Sequence, residues 1–412
     1  MALDPVEQRL CRQIEARRAD LLEDLRRHVA LPTGHNNTEA IEQTRSLLVG
    51  RLEALGARSR RVTGDPKPPW LYGAGSSGPI PDASVCEAAG PRDGPRILIA
   101  GHMDTVHDPA GGFDKLSVEP DGLRATGPGC VDMKGGLVIA MCALEALEEA
   151  GVRAAWTFFL NADEETGTYH SDAALRAAAA AHDVGLALEP ALAGGELAIE
   201  RMGSGQFMIE ARGRAAHVGR SFTEGVSAVN ALAERLLRIA ELADPPSGRI
   251  VSVGPLEGGS ATNAVPARAR AWGNARVPAP AVSEEIQAAL AALATSHTEC
   301  QGNSAAVRVE RSFNRPAKPR TPQVERLALA AQAAAEDLGQ SLPFASTGGV
   351  CDGNIMQDAG LPTIDTLGVR GGGLHTPDEW IELPSLVERC QLLAVLIKRL
   401  AGGTGLRPRS GP

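Results

Sequence analysis

Arg96-Ile97-Leu98-Ile99-Ala100-Gly101-His102-Met103-Asp104 is the stretch from which the fold class can be read. Its apolar run is too short for a helix and too continuous for a half-exposed strand. It reads as a strand buried on both faces, as in parallel sheets. A histidine and an aspartate follow at once. The pattern recurs along the chain. Residues 155–160 (AWTFFL) lead to Asp163-Glu164-Glu165, residues 185–188 (GLAL) to Glu189-Pro190, and residues 362–367 (PTIDTL) to a glycine-rich stretch ending at His375. Residues 134–150 carry Leu137, Met141, Leu144 and Leu147 on one stripe and read as a helix. This alternation implies an α/β fold with a mostly parallel central sheet and helices on both faces.

Outward from this core, the first 60 residues read as two helices. One is opened by Asp4-Pro5; the other covers residues 41–55 and is stopped by Gly56. Residues 64–95 are rich in Pro and Gly and read as loop around one short strand near 83–87. From about Gly205 to Pro316 the rhythm changes: strand 206–212, helix 226–242, strands 249–253 and 267–277, helix 283–296, strand 305–311. That βαββαβ order is ferredoxin-like. The expected organisation is an α/β unit, residues 1–204 and 317–412, split by an inserted α+β unit at residues 205–316.

Composition excludes several classes. With 43% hydrophobic and 22% charged residues, the 412-residue chain can build a sizeable core. A net charge of −9 and 3% aromatics argue against nucleic acid, which needs a basic face and stacking platforms. No apolar run approaches a membrane span, and the first residues, Met1-Ala2-Leu3-Asp4-Pro5, lack a secretory pattern. The expected location is the cytoplasm. Seven scattered cysteines without a CxxC pair suggest neither a disulfide framework nor a thiolate zinc site.

Ligands of open α/β sheets collect at the carboxyl ends of the strands, so the segments after each strand can converge on one crevice. A fifth segment, Gly127 to Gly136 with Asp132 inside it, opens a helix and can join them. Mixed imidazole and carboxylate donors suit zinc or another borderline divalent ion. Two histidines and three carboxylates exceed one tetrahedral ion and match two ions sharing a carboxylate. Asp104 is placed to accept the second ring N–H of His102. The adjacent pair Glu164-Glu165 lets one carboxylate ligate while the other serves as general base. Gly135 and Gly136 permit close packing at the helix start. No role is assigned to His28, His35, His107, His170, His182 or His297, since a lone histidine is more often a satisfied core or surface residue.

The motifs GHMDTV, GPGCVDMKGG, NADEETGT, LEP and GGGLHTPDEW together resemble those of the dizinc metallopeptidase and amidohydrolase family that includes glutamate carboxypeptidase, aminoacylase and acetylornithine deacetylase. The resemblance spans about residues 40–400. It implies that Asp132 bridges two zinc ions (cobalt or manganese being possible substitutes), with His102 and Glu189 on one and Glu165 and His375 on the other. It implies Glu164 as general base, Asp104 as the partner of His102, and a cis peptide after Asp132. In the inserted unit, AAHVG resembles the motif whose histidine, here His217, crosses a dimer interface to polarise the scissile carbonyl. Asn263 in GGSATNAVP resembles the substrate-contacting asparagine, and Arg276 the arginine that grips a free α-carboxylate. Arg315 and the backbone of Gly349 are expected in the same carboxylate pocket.

Two features depart from the family pattern. Glu196 stands near the position where glutamate carboxypeptidases carry a lysine for the glutamate side chain, with Arg201 further on. Cys351 precedes Asp352, where relatives commonly have Ser or Thr. The expected activity is hydrolysis of an amide next to a free carboxylate, in a small anionic substrate such as an N-acyl amino acid or short peptide, by a homodimer. The alternatives are an amino- or dipeptidase on the same scaffold, and a catalytically silent dimeric binding protein.

Overall fold

A computed structural model describes residues 2–34, 37–74, 79–91, 94–295, 299–300 and 303–403. Its centre is a six-stranded sheet in the order Arg58–Val62, Ala83–Ala88, Ala155–Asn161, Arg96–His102, Val184–Ala187, Thr363–Ile364. The first two pairings are antiparallel and the last three parallel. The strand Arg96–His102 is buried on both faces for the reason its sequence suggests. Ile97 and Ile99 pack into the large apolar cluster with the helices Gly135–Glu149 and Pro384–Ala401. Leu98 and Ala100 point the other way, against Leu175, Ala179 and Ile355 of the helices Asp172–Ala180 and Asp352–Asp358. Alternate side chains thus fill two separate cores.

The second sheet runs Ile250–Gly258, Arg268–Val277, Gly203–Arg212, Ala306–Arg315, antiparallel throughout. Numbered along the chain this is order 2-3-1-4, the ferredoxin-like arrangement. Phe207, Ile209 and Ala211 share an apolar cluster with Ala228, Leu232 and Ile239 of the helix Ala228–Ala240 and with Ile286 and Leu290 of the helix Pro280–Thr295. The fold is α/β with a mostly parallel sheet and an inserted ferredoxin-like unit.

Several elements differ from expectation. The N-terminal region has three helices, Pro5–Ala16, Arg18–Val29 and Thr38–Ala54. The chain kinks at Arg17, whose φ −93°, ψ 12° is not helical. The apolar residues on either side still share one core, so no break shows in the periodicity. The strand Arg58–Val62 escapes pattern reading because it is an exposed edge strand, RSRRV, whose charges also discourage pairing with another chain. Of residues 362–367 only Thr363–Ile364 forms a strand. The last inserted strand extends to Arg315. Of the histidines given no role, His35 and His297 lie outside the described residues. The described cysteines Cys11, Cys86, Cys130, Cys142, Cys351 and Cys390 are free thiols. No described helix is long and apolar enough to cross a membrane.

Candidate metal centre

Strand register brings the donors together. His102 is level with Asn161, and Ala100 with Ala187, so the segments that follow leave the same edge of the sheet. Asp132 reaches that edge from a turn between Gly129, with φ 69°, and the helix Gly135–Glu149. Gly136 permits the approach: a Cβ there would lie 2.3 Å from the carbonyl oxygen of Leu188, the residue before Glu189. The Asp132–Met133 peptide is cis, as the motif implied. His375 comes from a hairpin of a small antiparallel sheet, where Gly371–Gly372 pairs with Trp380–Glu382. Its φ of 63° is a left-handed conformation that non-glycine residues adopt at a cost.

The donor atoms converge. Asp132 Oδ1 is 3.2 Å from His102 Nε2, and its Oδ2 is 3.5 Å from His375 Nε2. His375 Nε2 also lies 3.3 Å from Glu165 Oε2. Asp132 is thus the carboxylate shared by both imidazoles. His102, Asp132 and Glu165 each offer a ligand atom within 4.8 Å of the others. Asp104 meets His102 Nδ1 twice, through its carbonyl at 3.0 Å and its carboxylate at 3.4 Å, and its Oδ2 accepts a hydrogen bond from Glu165 N at 3.0 Å. One aspartate therefore orients donors from two strand ends.

Electrostatics fit this donor set to divalent cations. Burial pushes the Glu165 carboxyl up and that of Glu189 up to about 8, and burial likewise holds Glu164 well above its usual range. Burial alone would raise Asp132 too, but hydrogen bonds from His102 and His375 outweigh it and hold that carboxyl below its ordinary value. Contacts with Asp132 and Glu165 push His375 up to about 10. Buried oxygens in excess of cations, with imidazoles among them, are a chemical match to borderline divalent ions.

Arg315, expected to bind substrate, is placed on Glu164. Its Nη2 lies 2.7 Å from Glu164 Oε1 and donates to Glu164 O and to Thr168 Oγ1, both at 2.6 Å. Arg276 is different: it is half-buried, and its guanidinium has no hydrogen bond or ion pair among the described residues. The two arginines line a cavity of about 180 Å³ together with Glu165. Cross-strand register puts Arg276 opposite Ser204 and Asn274 opposite Gln206, so these four half-buried polar residues face the cavity side by side.

His217 and Asn263 are exposed neighbours in the inserted unit, where Val218 N donates to Asn263 O at 3.0 Å. No hydrogen bond or ion pair among the described residues joins either to the metal centre. Gly349 is also exposed, and its carbonyl accepts from Arg201 Nη1 at 3.1 Å. Arg201 is buried and ion-paired to Asp365 at 2.7 Å, while the Glu196 carboxylate folds back onto Gly194 N. Cys351 caps the helix Asp352–Asp358, its Sγ accepting from Gly353 N, and burial pushes its thiol well up.

Sequence reasoning missed Glu379 and His107. The Glu379 carboxylate, buried, accepts from the backbone N–H groups of Gly129, Val131 and Asp132 and pairs with His107 Nε2. Its place in the motif that carries His375 was the available signal.

Residues 98–399 match the model of peptidase family M20/M25/M40. This chain belongs to that family. It is 27% identical over 388 residues to carboxypeptidase G2 of Pseudomonas sp. (strain RS-16), covering 93% of this chain and 90% of that one. A tripeptidase of Staphylococcus aureus subsp. aureus Mu50 has a similar fold, with a TM-score of 0.73 at 22% identity over 93% of this chain and 99% of that chain. So has the Bacillus subtilis YXEP protein, a dinuclear metal binding peptidase of family M20, with a TM-score of 0.63 at 18% identity over 94% and 99%. This M20 chain is a hydrolase of the metallopeptidase type, in a family that generally binds a dinuclear metal centre.

Proposed function

We propose that this M20 protein is a dizinc hydrolase cleaving an amide next to a free carboxylate. The substrate is an N-acyl amino acid or a short peptide that loses its carboxyl-terminal residue. The observation that carries this reading is Arg276, an unpaired, half-buried guanidinium in one cavity with Glu165. A planar fork of donors is suited to a carboxylate, and nothing described competes for it. Glu196 and Arg201 are both engaged elsewhere. With no free cation at those positions for an acidic side chain, glutamate is not proposed as the preferred residue.

Asp132 would bridge the two ions, His102 and Glu189 holding one and Glu165 and His375 the other. Such ions polarise a carbonyl and lower the pKa of water. Glu164 takes the proton from the attacking water and returns it to the leaving amine. Burial holds the Glu164 carboxyl well above its usual range, and the Arg315 guanidinium beside it offsets only part of that rise. Asn263 and Arg276 set the substrate's register. His217, exposed on its own subunit, acts at the carbonyl oxygen of a second subunit's site, with the pair joined through residues 205–316.

The test compares N-acyl amino acids with the same compounds amidated at the carboxylate, and with free dipeptides. Amidation and Arg276→Ala should each raise KM roughly 10- to 100-fold, the worth of a charge-assisted contact, with kcat little changed. Equal turnover of the amidated compounds would refute carboxylate recognition. Preference for free over N-blocked dipeptides would establish the aminopeptidase alternative.

A further inference from the structure

We propose that Glu379 is a positioning residue that locks the bridging Asp132 and the His375 hairpin into one unit, and so sets the affinity of the second metal position. This rests on the dinuclear reading above. The left-handed turn at Gly129 aims the N–H groups of Gly129, Val131 and Asp132 inward, a concavity of the kind that binds anions. The anion in it is the chain's own carboxylate. Glu379 Oε2 accepts from Gly129 N at 2.8 Å, and Oε1 accepts from Val131 N at 2.9 Å and Asp132 N at 3.0 Å. His107 Nε2, 2.5 Å from Oε2, supplies a fourth donor, and its ring is braced edge-on by Phe113. Only a carboxylate has the acceptor capacity for all four.

The backbone of the same residue makes a second link. Glu379 O accepts from Gly127 N at 3.1 Å, and the adjoining strand Trp380–Glu382 pairs with Arg124–Thr126, which runs into the Asp132 turn. Glu379 lies four residues after His375 in the same hairpin. Two residues that would hold the second ion, Asp132 and His375, therefore depend on one buried side chain that is not itself among the donors. The first position shares only Asp132 with it.

The experiment is zinc titration of metal-depleted wild type, Glu379→Gln, Glu379→Ala and His107→Gln, read as affinity for each equivalent. Hydrogen exchange over residues 127–134 in the metal-free proteins is measured alongside. In Glu379→Gln the remaining oxygen can keep Val131 and Asp132 while the new NH2 faces the Gly129 N–H. The second equivalent should weaken in the order wild type, Gln, Ala, by about 10- to 100-fold at the extreme, with the first changed far less. Exchange should rise in residues 127–134 and not elsewhere. Wild-type affinity for both equivalents in Glu379→Ala would overturn the proposal. So would equal weakening of both with exchange rising throughout the protein, the signature of a merely structural residue. If Glu379→Ala fails to fold, Glu379→Gln carries the same comparison. A wild type that binds fewer than two ions would count against the dinuclear reading instead, and unchanged exchange in residues 127–134 of Glu379→Gln would then overturn the clamp.

Discussion

His102 and His217 occupy opposite situations. His102 ends a buried strand, is 1% exposed, and is held by Asp104 on one ring nitrogen and by Asp132 on the other. His217 is exposed; its Nδ1 accepts from Gly219 N, two residues away, and the ring has no partner from elsewhere among the described residues. The first is tied into one core and the second is left open; under the proposed function they belong to the metal half and the substrate half of the centre. Buried imidazole and carboxylate need partners within the same core, because an unpaired polar group there is costly. An exposed histidine carries no such requirement and can wait for a second surface.

The sharpest way to break that contrast is Glu164→Ala. If the metal half is self-sufficient, the variant should keep its metal content while kcat falls about 10²- to 10⁴-fold, and His102→Ala should lose metal as well. Metal analysis alongside kinetics checks both. A near wild-type rate in Glu164→Ala would remove Glu164 from the mechanism.

A somewhat smaller effect tests the open half. His217→Ala should lower kcat roughly 10²- to 10³-fold with metal affinity unchanged. Mixing it with Glu164→Ala subunits should restore activity. Random pairing creates sites with an intact Glu164 and the partner subunit's intact histidine, roughly a quarter of the total. No recovery after subunit exchange, or a fully active monomer, would place His217 outside the mechanism.

The smallest effect concerns His28, a buried histidine of the helix Arg18–Val29, away from the metal-centre donors. Burial pushes His28 down to about 4, and Asp24, 3.9 Å away, only partly offsets this. The unfolded chain takes up this proton near pH 6.5 and the folded chain resists until about pH 4. The stabilisation is therefore full above pH 6.5 and declines as pH falls through that window, by up to roughly 3 kcal/mol. His28→Leu should flatten this part of the stability profile in denaturant titrations. An unchanged slope would show that other groups set it.

Much of the first half of this contrast was legible in the chain, because buried strands advertise themselves as short apolar runs and their ends are fixed by topology. His102, Glu165, Glu189 and His375 each follow such a run. The kink at Arg17 and the edge strand Arg58–Val62 were not legible, since neither alters the apolar pattern by which elements are read. Glu379 lay inside the motif of His375, but its partners did not show there. A carboxylate that serves backbone N–H groups some 250 residues away leaves no local periodicity.

The layer architecture, the ferredoxin-like insert and the candidate metal-seeking side chains could be read along the chain, because periodicity and residue chemistry are local properties. The partners of the arginines could not be read that way and come from the packed fold. Arg315 is committed to Glu164, Arg201 to Asp365, and Arg276 is left unpaired. By residue type the three are equal cations, and only the motif resemblance set Arg276 apart. What separates them is which carboxylate the fold buries beside each, and a charge is free to bind a ligand only where the fold has not already neutralised it.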